Sequence, residues 1–142
     1  MTLSLFATDI YRAKLGGPAV AALLGDLAAT IRQLARDDSA GRRWSAENGY
    51  GGYTSYASLD DLAWRDSAVA ELQTRLDKHV AVFARQLAFD LKGRKLTCDS
   101  LWVNLLKPGA QHTAHIHPGS AVSGTVYIEV PPGASAIRYE DP

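Results

Sequence analysis

Hydrophobic positions along this chain follow two different rhythms. From Pro18 to Ala35, Val20, Leu24, Leu27, Ile31 and Leu34 recur at spacings of three and four, which predicts an amphipathic helix. Pro18 suits its first turn, where a missing N–H costs nothing, and Gly25 weakens it by up to about 1 kcal/mol relative to alanine. A stronger stripe of Val69, Leu72, Leu76, Val80, Phe83, Leu87 and Leu91 predicts a second helix. Asp66 or Ser67 is placed to cap its start, and Gly93 to end it. His79 lies alone beside this stripe and reads as a packed or solvated side chain. Between the helices, residues Asp37 to Tyr56 are polar, and Asn48-Gly-Tyr-Gly-Gly-Tyr53 is too glycine-dense for a helix. That run reads as a structural loop able to lie beside a strand. No lysine follows its glycines, so it is not a phosphate-binding loop.

After Gly93 the period becomes two. Trp102, Asn104 and Leu106 share one face, while Leu101, Val103 and Leu105 share the other. Lys107-Pro108-Gly109 is turn chemistry. From Val122 to Val130 the alternation returns, with Ser123, Thr125, Tyr127 and Glu129 on one side, the first three expected to face inward, and Val122, Val126, Ile128 and Val130 on the other. A turn at Pro131-Pro-Gly133 precedes a last strand at about Ala136 to Tyr139, and Leu3 to Ile10 could add an edge strand. Helices followed by a run of strands argue for an α+β domain, with two helices covering one face of a sheet. We read residues 1–142 as a single domain, with a helical part over 1–95 and strands over 96–142.

Charge narrows the partners. Lys plus Arg and Asp plus Glu number 15 each, so no basic surplus is available to neutralise phosphates, and nucleic-acid binding is not expected. The single cysteine, Cys98, excludes an internal disulfide and fits a reducing compartment. No positively charged leader or membrane-length apolar run is seen, so a cytoplasmic protein with no membrane partner is the expectation.

The chemistry concentrates at His112, His115 and His117, three of the four histidines. If Ala114 to Pro118 is extended, His115 and His117 project from one face, roughly 6.5 Å apart along the strand, so both can reach one metal ion. His112 would then point away, which favours a loop or supporting role and makes it the weaker candidate of the three for a metal ligand. Imidazole suits Fe, Zn, Cu and Ni alike, and the lack of nearby cysteine argues against a structural zinc site. Ser120 and Ser123 lack a nucleophile elbow, and Cys98 has no histidine beside it in sequence, so hydrolase chemistry is a minor option.

These motifs together carry a resemblance. Leu101-Trp-Val-Asn104, Gly109, His115-Ile-His-Pro118, Ser123-Gly-Thr-Val-Tyr127 and Tyr139-Glu-Asp-Pro142 resemble bacterial 2-oxoglutarate- and Fe(II)-dependent oxygenases distantly similar to prolyl hydroxylases. Asn48 to Ser55 also fits their upstream region. The resemblance implies a double-stranded β-helix, a jelly-roll barrel backed by helices. It implies Fe(II) and 2-oxoglutarate as cofactors, with His115 as first metal ligand and His117 where aspartate is usual. Asn104 and Tyr127, with Ser123 beside them, match positions that contact the cosubstrate. The implied reaction couples oxidative decarboxylation of 2-oxoglutarate to hydroxylation of a small-molecule or peptide substrate. In those proteins further strands carry a third ligand and a basic residue, and Arg138 is too early for the latter. The sequence therefore reads as a fragment or truncated relative, whose last strand edge would favour a homodimer. Two alternatives stand beside this. A cupin-like metal protein would also begin with Gly109 and His115-x-His117, but lacks its glutamate here. A non-catalytic barrel would serve as a binding or assembly module.

Overall fold

A computed structural model describes residues 7–140. Its order is α1 (Val20–Asp37), α2 (Ser39–Glu47), β1 (Gly52–Thr54), α3 (Leu62–Arg65), α4 (Ser67–Gln86) and β2 (Asn104–Leu106). The core lies where α1, α3 and α4 meet. Leu23 and Leu27 of α1, Leu62 of α3, and Val69 and Leu72 of α4 form one buried cluster. Removing such side chains from water supplies about 1.5–3 kcal/mol each. Leu101, Val103, Val126 and Ile128 pack against that cluster from the second half of the chain.

Helix α4 begins as its sequence requires. The Asp66 carboxylate accepts from the N–H groups of Ala68 and Val69 at 2.9 and 3.0 Å, satisfying donors that no helical carbonyl reaches. Its other oxygen accepts from Thr30 Oγ1 at 2.8 Å, which fastens the cap to α1. The helix stops earlier than the apolar stripe suggested, at Gln86 rather than near Gly93. Ala88 takes a left-handed conformation (φ 52°), and Phe89 N–H returns to the Ala84 carbonyl, a closing turn normally made by glycine. Gly93 (φ 77°) instead forms a separate tight turn with Lys92 (φ 48°).

The stretch read as loop contains a helix. Asp38 caps α2 by accepting from Gly41 N–H at 2.9 Å. Its carboxylate also accepts from Tyr53 Oη at 2.8 Å and Ser58 Oγ at 2.5 Å. Ser45 Oγ donates to the Gly41 carbonyl and accepts from Thr54 N–H, so α2 and β1 share a buried polar seam. Polar residues here make a helix through capping and seam contacts, which hydrophobic periodicity does not register.

β1 and β2 are antiparallel, with Gly52 opposite Leu106, Tyr53 opposite Leu105 and Thr54 opposite Asn104. The glycine-rich run does lie beside a strand. A methyl group at Gly52 would collide with the Leu105 carbonyl, and one at Gly51 would lie 2.5 Å from Ala110 Cβ. Ser55 extends the pairing, donating its N–H to the Val103 carbonyl and accepting Val103 N–H on Oγ, both at 3.1 Å.

Past β2, three Pro-Gly turns punctuate the chain. Ala110 N–H reaches the Lys107 carbonyl, Ser120 N–H that of His117, and Ala134 N–H that of Pro131. Gly109, Gly119 and Gly133 all have φ near +80°, the conformation a type II turn demands of its third residue. Among the described residues, the segments 122–130 and 136–139 carry no strand ladder, and neither do residues 7–10. The remainder of the expected Leu3–Ile10 strand lies outside the described residues. The alternation at 122–130 persists in burial with its sense reversed: Val122, Val126 and Ile128 are half-buried, the last two packed against the helical core, while Ser123, Thr125 and Tyr127, expected inward, are exposed with Glu129. Arg32 of α1 pairs with Glu129 and pins this segment to the helices. Among the described residues, no helix is long and apolar enough to cross a membrane.

Candidate metal site

The histidines sit between the first and second Pro-Gly turns, on a segment seated against the glycine-rich approach to β1. Lys107 N–H donates to the Gly51 carbonyl at 3.0 Å, and Ala110 packs on Gly51. The chain then brings His115 Nε2 and His117 Nε2 to 3.1 Å from each other. Two nitrogens each about 2.1 Å from one ion, at right angles about it, lie about 3.0 Å apart. The two rings share a hydrogen bond at this distance, and the same separation is that of two adjacent metal ligands.

A second contact selects the nitrogen that would bind. His115 Nδ1 lies 2.9 Å from the Thr113 carbonyl, an acceptor only, so Nδ1 carries the proton and Nε2 keeps its lone pair. His117 is half-buried and stacks on Trp102, ring centres 5.7 Å apart at 33°. Trp102 in turn meets Tyr56 at 5.2 Å, and Tyr56 meets Trp44 of α2 at 5.7 Å, both edge-on. A wall of rings thus runs from α2 to the histidine pair.

His112 does not point away. Its ring centre is 4.6 Å from that of His115, because residues 111–117 are not a strand and the two-residue alternation does not apply. Its Nδ1 lies 2.9 Å from Tyr50 Oη. Partial burial, followed by the proximity of His115 and His117, holds the His112 imidazole below its ordinary pKa. Burial alone pushes the Tyr50 phenol up to about 12, so it is neutral at pH 7.

The three cosubstrate candidates stand apart from this group. Asn104 lies on β2 opposite Thr54, while Ser123 and Tyr127 are on the exposed side of the 122–130 segment. Among the described residues no hydrogen bond or ring contact joins them to the histidines. Nor does any set of three His, Cys, Asp or Glu side chains already gather around one point to hold a metal. Sequence periodicity had no means of finding Tyr50, Tyr56, Trp44 or the Thr113 carbonyl, whose roles depend on how the glycine-rich run docks. The density of tyrosine around that run was the available signal.

A pair of imidazoles on a turn-bounded segment, backed by an aromatic wall and a helical layer, defines a candidate centre for a transition metal. Residues 100–142, which contain the histidines, match the family described as "Putative 2OG-Fe(II) oxygenase". The resemblance seen in the sequence and this match coincide over that stretch. The match implies Fe(II) and 2-oxoglutarate at the level of the family. No curated protein matches the chain.

Proposed function

We propose that the protein acts as an Fe(II)- and 2-oxoglutarate-dependent oxygenase, hydroxylating a small molecule or peptide, on a double-stranded β-helix. The observation that supports this reading most is the 3.1 Å approach of the His115 and His117 Nε2 atoms within the family-matched stretch. The residues fit the metal as a pair: both offer nitrogen ligands, and the Thr113 carbonyl fixes the tautomer of one. Held by these residues, Fe(II) would supply oxidative chemistry in which O2 is the oxidant and 2-oxoglutarate the co-reductant, released as succinate and CO2. The chain's own groups orient and shield. His115 and His117 hold two adjacent positions, and Trp102 fixes the plane of His117 and keeps water from one side of it. Asn104, Ser123 and Tyr127 serve the cosubstrate in this reading, offering an amide, a hydroxyl and a phenol as hydrogen-bond partners to its carboxylates.

Two imidazoles without a carboxylate leave the ion's charge uncompensated by the protein. The anionic cosubstrate would supply that compensation, so metal and 2-oxoglutarate should bind cooperatively. Anaerobic Fe(II) titration with and without 2-oxoglutarate tests this. The expected result is a visible charge-transfer band that requires both components and disappears in His115→Ala and in His117→Ala. Fe(II) binding that is equal in wild type and both variants, with no band, would refute the reading.

A further inference from the structure

The aromatic wall beside the histidine pair turns corners rather than lying flat. The Tyr56 ring stands at 63° to that of Trp44 and at 75° to that of Trp102, with centres 5.7 and 5.2 Å away. We infer that Trp44, Tyr56 and Trp102 form an aromatic cage for a quaternary ammonium group, and that this group is the anchoring end of the oxygenase substrate. The cage stands on its own geometry; the anchoring role rests on the reading of His115 and His117 as a metal-holding pair.

Three observations point there. First, the angles choose the shape of the ligand. A slot for a flat ring needs parallel faces, whereas rings set across one another turn electron-rich faces toward a common region, which suits a rounded cation. A quaternary nitrogen has no N–H to satisfy and asks nothing of the cage but its ring faces. Second, the site is open. Tyr56 is 60% exposed while Trp44 and Trp102 are half-buried, so the ring shared by both contacts is the one presented to solvent. Third, the rings are fixed before any ligand arrives. Each adjoins a residue of a hydrogen-bonded seam: Trp44 precedes Ser45, Tyr56 follows Ser55 and Trp102 precedes Val103. Ser45 Oγ accepts from Thr54 N–H, and Ser55 exchanges two hydrogen bonds with Val103, all at 3.1 Å. Tyr56 N–H is itself tied to Thr54 Oγ1 at 3.2 Å. Little conformational freedom is left to lose on binding.

Trp102 belongs to both neighbourhoods, since it meets Tyr56 and also stacks on His117. An ammonium group held by the cage therefore sits one ring away from the histidines, and the rest of its carbon chain is left to reach the metal.

Choline titrated into the whole, metal-free chain, followed by the upfield ring-current shift of its methyl protons, tests the cage. The wild type should shift the choline signal and leave in place that of 3,3-dimethylbutan-1-ol, its uncharged isostere. Tyr56→Leu should weaken choline binding about five- to thirtyfold, with unchanged far-ultraviolet circular dichroism. Trp64→Leu, which removes a ring that is 85% exposed on α3 and outside the cage, should change nothing. Equal binding of the charged and uncharged isosteres, or equal binding by wild type and Tyr56→Leu, would overturn the cage. The anchoring role is read separately, from the anaerobic charge-transfer band of the Fe(II) and 2-oxoglutarate complex. Choline should displace the wild-type band and not that of Tyr56→Leu. A band that bound choline leaves in place would overturn the anchoring role. A band absent altogether would remove that role together with the metal reading, while the metal-free titration would still decide the cage.

Discussion

The two halves of the molecule are held together in different ways. From Val20 to Gln86 the chain is stabilised by helix caps, a buried apolar cluster and a polar seam between α2 and β1. From Ala88 onward the chain is shaped by left-handed turn residues, Pro-Gly turns and ring contacts, and most of its side chains are exposed. The first half behaves as a platform. The second presents groups on it: Val126 and Ile128 anchor it, Arg32 clamps it through Glu129, and the histidines project from it. Stability and the proposed metal chemistry therefore fall on different residues and should respond to different mutations.

The largest expected loss of stability is at Leu27, almost fully buried at the centre of the platform. Leu27→Ala should cost about 2–5 kcal/mol, seen as a fall in the urea midpoint. If that loss were under 1 kcal/mol, the core would not be where we place it. Gly52→Ala comes next. Its methyl would press into the Leu105 backbone, and overpacking of this kind costs about 1–3 kcal/mol. Because it also separates β1 from β2, Gly52→Ala should weaken metal binding, and it is the one platform residue expected to affect both properties. A variant that melts earlier but binds metal unchanged would separate the histidine segment from its seat. Asp66→Ala, which removes the α4 cap, should cost about 0.5–2 kcal/mol with metal affinity unaltered.

Asp38 gives the comparison a pH dependence. Burial raises its pKa, but hydrogen bonds from Gly41, Ser58, Tyr53 and Ala40 outweigh this and hold it below the ordinary carboxylate value. A depressed folded-state pKa stabilises above the unfolded value of about 3.9 and is lost as pH falls through the folded value. Acid unfolding below about pH 4 should thus be less steep in Asp38→Asn than in wild type. Identical acid transitions would show that the seam does not depend on the charge. The smallest effect is a gain: Gly25 faces open space in the middle of α1, so Gly25→Ala should add up to about 1 kcal/mol.

Much of the platform was legible in the sequence because it obeys the helical period. Leu27, Val69 and Leu72 are buried as their spacing required, and Asp66 caps α4. What escaped was set by polar contacts and backbone conformation. Helix α2 is secured by Asp38 and Ser45 rather than by an apolar stripe, and α4 is closed early by Ala88 in a conformation that alanine seldom adopts. In the second half, the Pro-Gly turns at 107–109 and 131–133 could be read directly, but the sense of the 122–130 alternation could not: Ser123, Thr125 and Tyr127, expected inward, are exposed, and Val126 and Ile128 are the half-buried side. Nor could the placement of His112, since the period-two rule holds only on a strand and residues 111–117 form none. Tyr50 and Trp102 depend on contacts between distant parts of the chain, for which local pattern gives no rule.

The most direct test of the division between platform and site is the thermal midpoint with and without added metal, measured for wild type and His115→Ala. Fe(II) added anaerobically should raise the wild-type midpoint, since a ligand that binds only the folded state stabilises it by mass action. In His115→Ala the metal-free midpoint should match wild type and the metal-induced rise should vanish. A rise in His115→Ala equal to that of wild type would contradict the account, placing the metal elsewhere than on the histidine pair.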